Sequence, residues 1–324
     1  MTSRLFIDTD CGIDDAVALW WALTEPSVDV VGITTVWGNV SVDLAAANVF
    51  RILEAADHPE VPVWVGADAP FGPRPDLRRA DFIHGADGVG DTGRPQAQIV
   101  PRDGSAVDGL RAAVDADPGA VTIVTIGPLT NVANVIRDDP SWAMRVHRLV
   151  IMGGAFFTQG NAMPVGEANI ANDPTAAATV LAASWSVPPL LVGLDVTHQA
   201  TLTDELVALA DEHRTPAARY LAELLHFYRR YGGTFCVTGE FPMHDALAVM
   251  AAVIDGIVTG PILPVAVETG TGPAQGMTVA DRRQPFFERV GTAQAQPPGF
   301  RPCQVATDVD VARFRAEIRG LFGG

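Results

Sequence analysis

Apolar residues in this chain fall into short unbroken runs that alternate with stretches where they recur every three or four positions. Residues 5–7 form the first run, Gly12 permits a sharp turn, and from Ile13 onward the spacing is that of a helix. Val28–Thr35 is a second run, rich in β-branched residues; 37–40 reads as a loop, 41–56 as a helix and 61–65 as a strand. Residues 120–126 carry the strongest strand pattern, and Gly127-Pro128-Leu129-Thr130-Asn131 leads from it into a helix through Ile136. Strands at 146–152 and 189–194 repeat the arrangement. Helices are predicted over 204–212, 215–231 and from His244 through Val253, short strands and turns over 261–308, and a closing amphipathic helix over 309–322. Such alternation predicts an α/β protein, one domain over 1–324, with a mostly parallel central sheet flanked by helices. Ligands of such sheets gather at the carboxyl ends of the strands, where Asp8, Asp10 and Asn39 fall.

Three segments break the pattern. Residues 66–104, rich in Gly, Pro, Asp and Arg, have little periodicity and contain His84; long loops of this kind are usually functional or mobile. Asn161, Glu167, Asn169, Asn172 and Asp173 crowd a polar loop after Gly153-Gly154, where Gly166-Glu167-Ala168-Asn169 reads as an extended chain with Glu and Asn on one side, placed to grip hydroxyls. Gly232-Gly233 is expected to open a flexible segment that ends at His244-Asp245, a pair suited to capping the next helix. Asp195-Val196-Thr197-His198 follows the strand at 189–194.

Composition narrows the function. With 324 residues, 48% hydrophobic and 19% charged, the chain is an ordinary globular protein able to bury a sizeable core. Its net charge of −16, with no basic run to offset it, argues against nucleic acid and for a small-molecule partner. No membrane span is expected, because the longest apolar region, 246–267, is interrupted by Asp255, Gly256, Gly260, Pro261 and Pro264. The first strand begins at once, leaving no room for a secretory signal, and the expected location is cytoplasmic. Cys11, Cys236 and Cys303 are odd in number and far apart, which suggests neither a disulfide framework nor a zinc cluster.

The candidate chemistry lies in the first turn. Asp8, Asp10, Asp14 and Asp15 place four carboxylates in eight positions, and like charges that close cannot all ionise unaided. Helix capping accounts for one or two of them. A hard cation accounts for all four, and oxygen-only ligands favour Ca²⁺ or Mg²⁺ over zinc. One of the last carbonyls of the strand at 120–126 is a further candidate ligand.

Asp8-Thr9-Asp10-Cys11-Gly12-Ile13-Asp14-Asp15-Ala16, Thr34-Thr35-Val36-Trp37-Gly38-Asn39, Gly127-Pro128-Leu129-Thr130-Asn131, Met152-Gly153-Gly154, Glu167-Ala168-Asn169 and His244-Asp245, in this order, resemble the inosine-uridine preferring nucleoside hydrolases. The resemblance implies a Rossmann-like fold and a calcium-dependent N-ribohydrolase that splits a nucleoside into base and ribose. It implies that Asp10, Asp15, the main-chain carbonyl of Ile126 and Asp245 hold the metal, with Asp8 as a supporting acid. Asp14, Asn39, Asn161, Glu167 and Asn169 would hold the ribose hydroxyls, with Met152 beneath the sugar. Asp10 is the candidate base for a water on the cation, and His244 the candidate that assists the leaving base, with His84 second. Tyr228 and Tyr231 are candidates for lying against the base, Trp37 is expected to be structural, and the assembly is expected to be a homodimer or homotetramer. Cys11 stands where many members carry Pro and is read as a small packing residue, since surrounding carboxylates would raise its pKa.

Two rivals use parts of the same pattern. Asp8-Thr9-Asp10 also resembles the haloacid-dehalogenase-like phosphatases, but those need Thr or Val where Gly12 stands. A non-catalytic ribose- or nucleoside-binding protein would use the same Asn and Glu residues without a metal-bound water.

Overall fold

The computed structural model describes residues 2–77, 80–212, 215–235, 240–283, 286, 289–291 and 297–322. Its strands are β1 (Ser3–Thr9), β2 (Val28–Thr35), β3 (Val63–Val65), β4 (Val121–Thr125), β5 (Arg148–Met152), β6 (Leu190–Val192), β7 (Thr201–Leu202), β8 (Phe241–Pro242), β9 (Val258–Thr259), β10 (Ile262–Val267), β11 (Thr278–Ala280), β12 (Arg301–Val305) and β13 (Asp308–Val309). A nine-stranded sheet runs in the order β11-β10-β12-β6-β5-β4-β1-β2-β3. From β3 across to β12 every neighbouring pair is parallel, and β10 runs antiparallel to both β12 and β11.

Helices cover both faces, so the inner strands are apolar on both sides. Successive residues of β1 show this directly. Leu5 and Ile7 enter the core shared with helices Ile13–Thr24 and His244–Ala251, while Phe6 enters the opposite core with Leu110, Val132 and Val180. Each such side chain contributes about 1.5–3 kcal/mol by leaving water. The same alternation in β4 and β5 sends Val124 and Val150 to one core and Ile123 and Ile151 to the other. β1 lies between β4 and β2, which places its acidic carboxyl end in the interior of the sheet edge where ligands collect.

Several local expectations give way to packing. Pro216–Phe235 continues as helix through Gly232-Gly233, and its Tyr220, Leu221, Leu224, Leu225 and Tyr228 are buried. Burial of that face outweighs the roughly 1 kcal/mol that each glycine costs a helix. Glu167 to Asn169 is not extended, because Glu167 caps the short helix Ala168–Asn172. Nor do His244 and Asp245 cap a helix; they are its first two residues, after Met243. Leu194 opens a helix, Leu194–Thr197, rather than ending β6. Cys11 and Cys303 are buried free thiols, while Cys236 lies outside the described residues, as does the side chain of Tyr231. Among the described residues no helix is long and apolar enough to cross a membrane.

Candidate active site

A cavity of about 380 Å³ opens over the carboxyl ends of β1, β2, β4 and β5. Beneath it the chain leaves β1, turns at Cys11-Gly12 and enters helix Ile13–Thr24, so that Asp8, Asp10, Asp14 and Asp15 converge in a few residues. The turn tolerates no bulk. A Cβ on Gly12 would lie 2.8 Å from both Asn39 Nδ2 and His84 Nδ1, and one on Gly38 would lie 2.0 Å from Asp10 Oδ2.

Asp10, Asp15 and Asp8 are each held by donors of the surrounding loops and strands. The Asn39 N–H donates to Asp10 Oδ2 at 2.7 Å, and Asn39 Nδ2 donates to Asp10 Oδ1 at 3.1 Å. Asp15 accepts from Thr9 Oγ1 at 2.5 Å and from the Gly12 N–H at 2.7 Å, which makes it part of the helix start as well as part of the cluster. Asp8 Oδ1 accepts from Thr34 Oγ1 at 2.7 Å and Asn131 Nδ2 at 2.8 Å. Asp8 Oδ2 is buried with no hydrogen-bond partner. Asp245, brought in by helix His244–Ala251, completes a group in which Asp14, Asp15 and Asp245 offer oxygens within 4.8 Å of one another. Asp10 stands beside that triplet, held by Asn39 and coupled to it through charge.

Burial pushes the Asp8 and Asp14 carboxyls up to about 7, against hydrogen bonds that pull them down. Burial also raises Asp10 and Asp245 well above the carboxylate range; the Asp15 charge adds to it for Asp10, and the Asp14 and Asp15 charges for Asp245. Among the described residues no arginine forms an ion pair with any of these acids. An all-oxygen donor set, an orphaned carboxylate oxygen and uncompensated like charges are the surroundings that fit a hard divalent cation. Ile126 lines the same cavity, and its carbonyl accepts from Asn169 Nδ2 at 3.3 Å.

The walls carry the other sequence-predicted residues. Asp14, Asn39, His84, Met152, Asn161, Glu167, Asn169 and His244 all line the cavity. Glu167 accepts from the N–H groups of Gly154 (3.1 Å), Asn169 (2.8 Å) and Ile170 (3.1 Å), so one carboxylate both starts a helix and borders the cavity. Asn169 Nδ2 also donates to the Met152 carbonyl at 3.2 Å and its sulfur at 3.3 Å, tying two wall residues together. Asn161 Oδ1 accepts from the Ala168 N–H at 2.9 Å, which leaves its amide nitrogen for the cavity.

His84 Nδ1 accepts from the Ile13 N–H at 3.1 Å, and burial pushes the ring down to about 3. The ring is therefore neutral, with its proton on Nε2. Its 4.0 Å approach to Asp14 is a contact between a neutral ring and an acid rather than an ion pair. Tyr228, buried, stacks on His84 with ring centres 5.7 Å apart. His244 Nδ1 lies 2.7 Å from Thr197 Oγ1, and burial pushes this ring down to about 3.

Arg74 and His198, which have no role in the site on the sequence reading, also line the cavity, as does Asn172 of the polar loop. Arg74 stacks over Trp37, 4.9 Å from the ring centre, and donates to Asn172 Oδ1 at 3.0 Å, linking the two walls across the opening. Trp37 donates to Thr130 Oγ1 at 3.2 Å and is 8% exposed, a wall element as well as a structural one.

Together the fold and the site define a class: an α/β protein with a polar-walled cavity over buried acids at the carboxyl edge of a parallel sheet. The chain belongs to the family described as inosine-uridine preferring nucleoside hydrolases, whose profile matches residues 5–316, and is an N-ribohydrolase enzyme of that family. It is 36% identical to a uridine nucleosidase of Arabidopsis thaliana over 309 residues, 95% of this chain and 89% of that protein. It is 35% identical to an inosine-uridine preferring nucleoside hydrolase of Leishmania major over 322 residues, 97% of this chain and 95% of that one. Among solved structures, a plant nucleoside hydrolase superposes with a TM-score of 0.91 at 34% identity, covering 99% of both chains. A purine-preferring ribonucleoside hydrolase from Gardnerella vaginalis does so with a TM-score of 0.86 at 32% identity, covering 99% of this chain and 98% of that one.

Proposed function

We propose that the chain hydrolyses the N-glycosidic bond of ribonucleosides with calcium as its cation, and that the acid cluster on the cavity floor is where the reaction is organised. The observation that carries this reading is the convergence of Asp14, Asp15 and Asp245, beside Asp10, under walls of amides and carboxylates. Asp10, Asp15, Asp245 and the Ile126 carbonyl would hold the ion, with Asp14 within reach of the same point. Six to eight oxygens with carbonyl participation suit Ca²⁺ better than the tighter Mg²⁺. When bound, the ion makes a coordinated water easier to deprotonate.

Asp10 takes a proton from the attacking water as its oxygen bonds to the sugar's anomeric carbon. The carbon–nitrogen bond breaks and its electron pair leaves with the base, which accepts hydrogen bonds from the wall and then takes a proton from solvent. Asp14, Asn39, Asn161, Glu167 and Asn169 grip the ribose hydroxyls over Met152, and their negative charge and dipoles stabilise the oxocarbenium-like sugar. His244 assists the departing base, with His84 and Tyr228 on the same side of the reading. A dimer or tetramer is the assembly expected with it, which sedimentation measures.

Release of reducing sugar from inosine, uridine, cytidine and adenosine, with and without a calcium chelator, tests the proposal. Chelator-sensitive release from at least one nucleoside is expected. No release from any of them with calcium supplied would sink it and favour a nucleoside-binding protein.

A further inference from the structure

Asp195-Val196-Thr197-His198 is a sequence feature that the proposed reaction leaves without a role. Helix Leu194–Thr197 is pinned on both sides: the Leu194 N–H donates to the Gly154 carbonyl at 2.8 Å, and Asp195 accepts from the N–H groups of Phe156 (3.0 Å) and Phe157 (2.7 Å). From this anchored turn, Thr197 Oγ1 meets His244 Nδ1 at 2.7 Å, and the next residue, His198, packs its ring against His244 at 5.8 Å and an interplanar angle of 65°. Thr197 is fully buried, and among the described residues its hydroxyl has no partner other than His244. A buried hydroxyl must place its one proton on an acceptor or lose roughly 1–3 kcal/mol. The acceptor available is the Nδ1 lone pair.

Resting on the hydrolase reading above, we infer that Thr197 is the positioning residue for His244: by donating to Nδ1 it holds the imidazole as the Nε2–H tautomer, with that N–H left for an acceptor on the departing base. His84 is held the same way by a different donor, the Ile13 N–H on its Nδ1. Two neutral imidazoles on one cavity thus have Nδ1 tied to the scaffold and Nε2–H left over. The leaving base is met by donors, which favours bases with an oxo group or a ring nitrogen lone pair at the matching positions.

Thr197→Val removes the hydroxyl at nearly constant shape, and Thr197→Ser keeps it. The valine variant is expected to lose roughly 10- to 100-fold in kcat on the best nucleoside substrate, with KM little changed. A 4-nitrophenyl riboside, whose leaving group needs no donor, should change less than about threefold, and the serine variant should recover most of the nucleoside activity. Imidazole ¹⁵N spectra of the wild type near neutral pH should show a pyridine-like Nδ1 and a pyrrole-like Nε2 for His244, with the Nδ1–H form appearing in the valine variant. Equal losses on both substrates, no recovery with serine, or an Nδ1–H tautomer in the wild type would each overturn the assignment. The spectra separate this proposal from the reaction itself, because they read the tautomer even if no nucleoside is cleaved.

Discussion

Thermal unfolding of protein freed of divalent ions, followed as calcium is added at pH 6 and pH 8, reads the acid cluster without any substrate. Asp8 and Asp14 have folded pKa values raised from 3.8 to about 7. The stability they contribute in the cation-free chain is complete below about 3.8 and is lost as pH rises through about 7. His84 and His244, lowered from 6.5 to about 3, act in the opposite sense and lose their contribution as pH falls below 6.5. Between those limits the two pairs largely offset. Above 6.5 the histidines no longer titrate in either state, and the loss from the acids, with Asp10 and Asp245 raised further, stands alone.

Calcium must displace whatever protons the acids hold. At pH 6 a carboxyl with a pKa of about 7 is mostly protonated, and ionising it costs about 1.4 kcal/mol. Asp14, within reach of the ion, thus makes calcium's stabilisation about 1.4 kcal/mol smaller at pH 6 than at pH 8, and Asp10 and Asp245, raised further, widen the difference to the order of 2–3 kcal/mol at equal calcium. For a chain of this size that is a Tm increment roughly 5 °C larger at the higher pH. An increment that is equal at the two pH values, or larger at pH 6, would refute the reasoning. So would full retention of the increment in an Asp15→Asn, Asp245→Asn double variant.

Asp10→Asn should keep the Tm within a few degrees yet lower kcat by about 10²–10⁴-fold, the usual worth of a positioned base; a wild-type rate in the sugar-release assay would remove Asp10 from the chemistry. Gly38→Ala pushes a methyl to 2.0 Å from Asp10 Oδ2, so either the acid or the loop must move. Overpacking of that kind costs about 1–3 kcal/mol, and the variant should lose calcium-dependent stabilisation as well as Tm; an unchanged calcium increment would contradict the geometry. Asn131→Leu removes donors to Asp8 and the Thr35 carbonyl and the acceptor of the Ala67 N–H. Unfolding in urea should show a loss of about 3 kcal/mol or more, and a loss under 1 kcal/mol would mean that these groups find other partners.

The legible parts of this molecule were those with short-range causes. Alternation in Leu5-Phe6-Ile7 announces a strand buried on both faces, and the spacing of Asp8, Asp10, Asp14 and Asp15 announces a charge problem that only a strand-to-helix turn could pose. Met152 and Asn161 took their roles from resemblance alone, Glu167 and Asn169 also from the polar segment they share, and all four line one cavity. Glu167 was misread locally: its carboxylate accepts from the Asn169 and Ile170 N–H groups and so starts a helix where an extended chain was expected. Gly232-Gly233 looked like a break, since nothing local reveals how much of helix Pro216–Phe235 is buried. Arg74 and Thr197 were invisible for the same reason: Asn172 and His244, which they meet, are far off in sequence.

Asp245 is synthesised long after Asp8, Asp10, Asp14 and Asp15, with most of the sheet's strands lying between them in the sequence. Synthesis proceeds at about 5–20 residues per second, so the early acids wait many seconds for their last companion. β1 cannot even pair on both sides until β4 has emerged. A site built from acids so far apart in sequence could not assemble for the proposed ion on a product that lacks Asp245. Uptake of the proposed ion would therefore report a chain that has been made and folded through Asp245, and products that stop short of it would be marked by their failure to take the ion up.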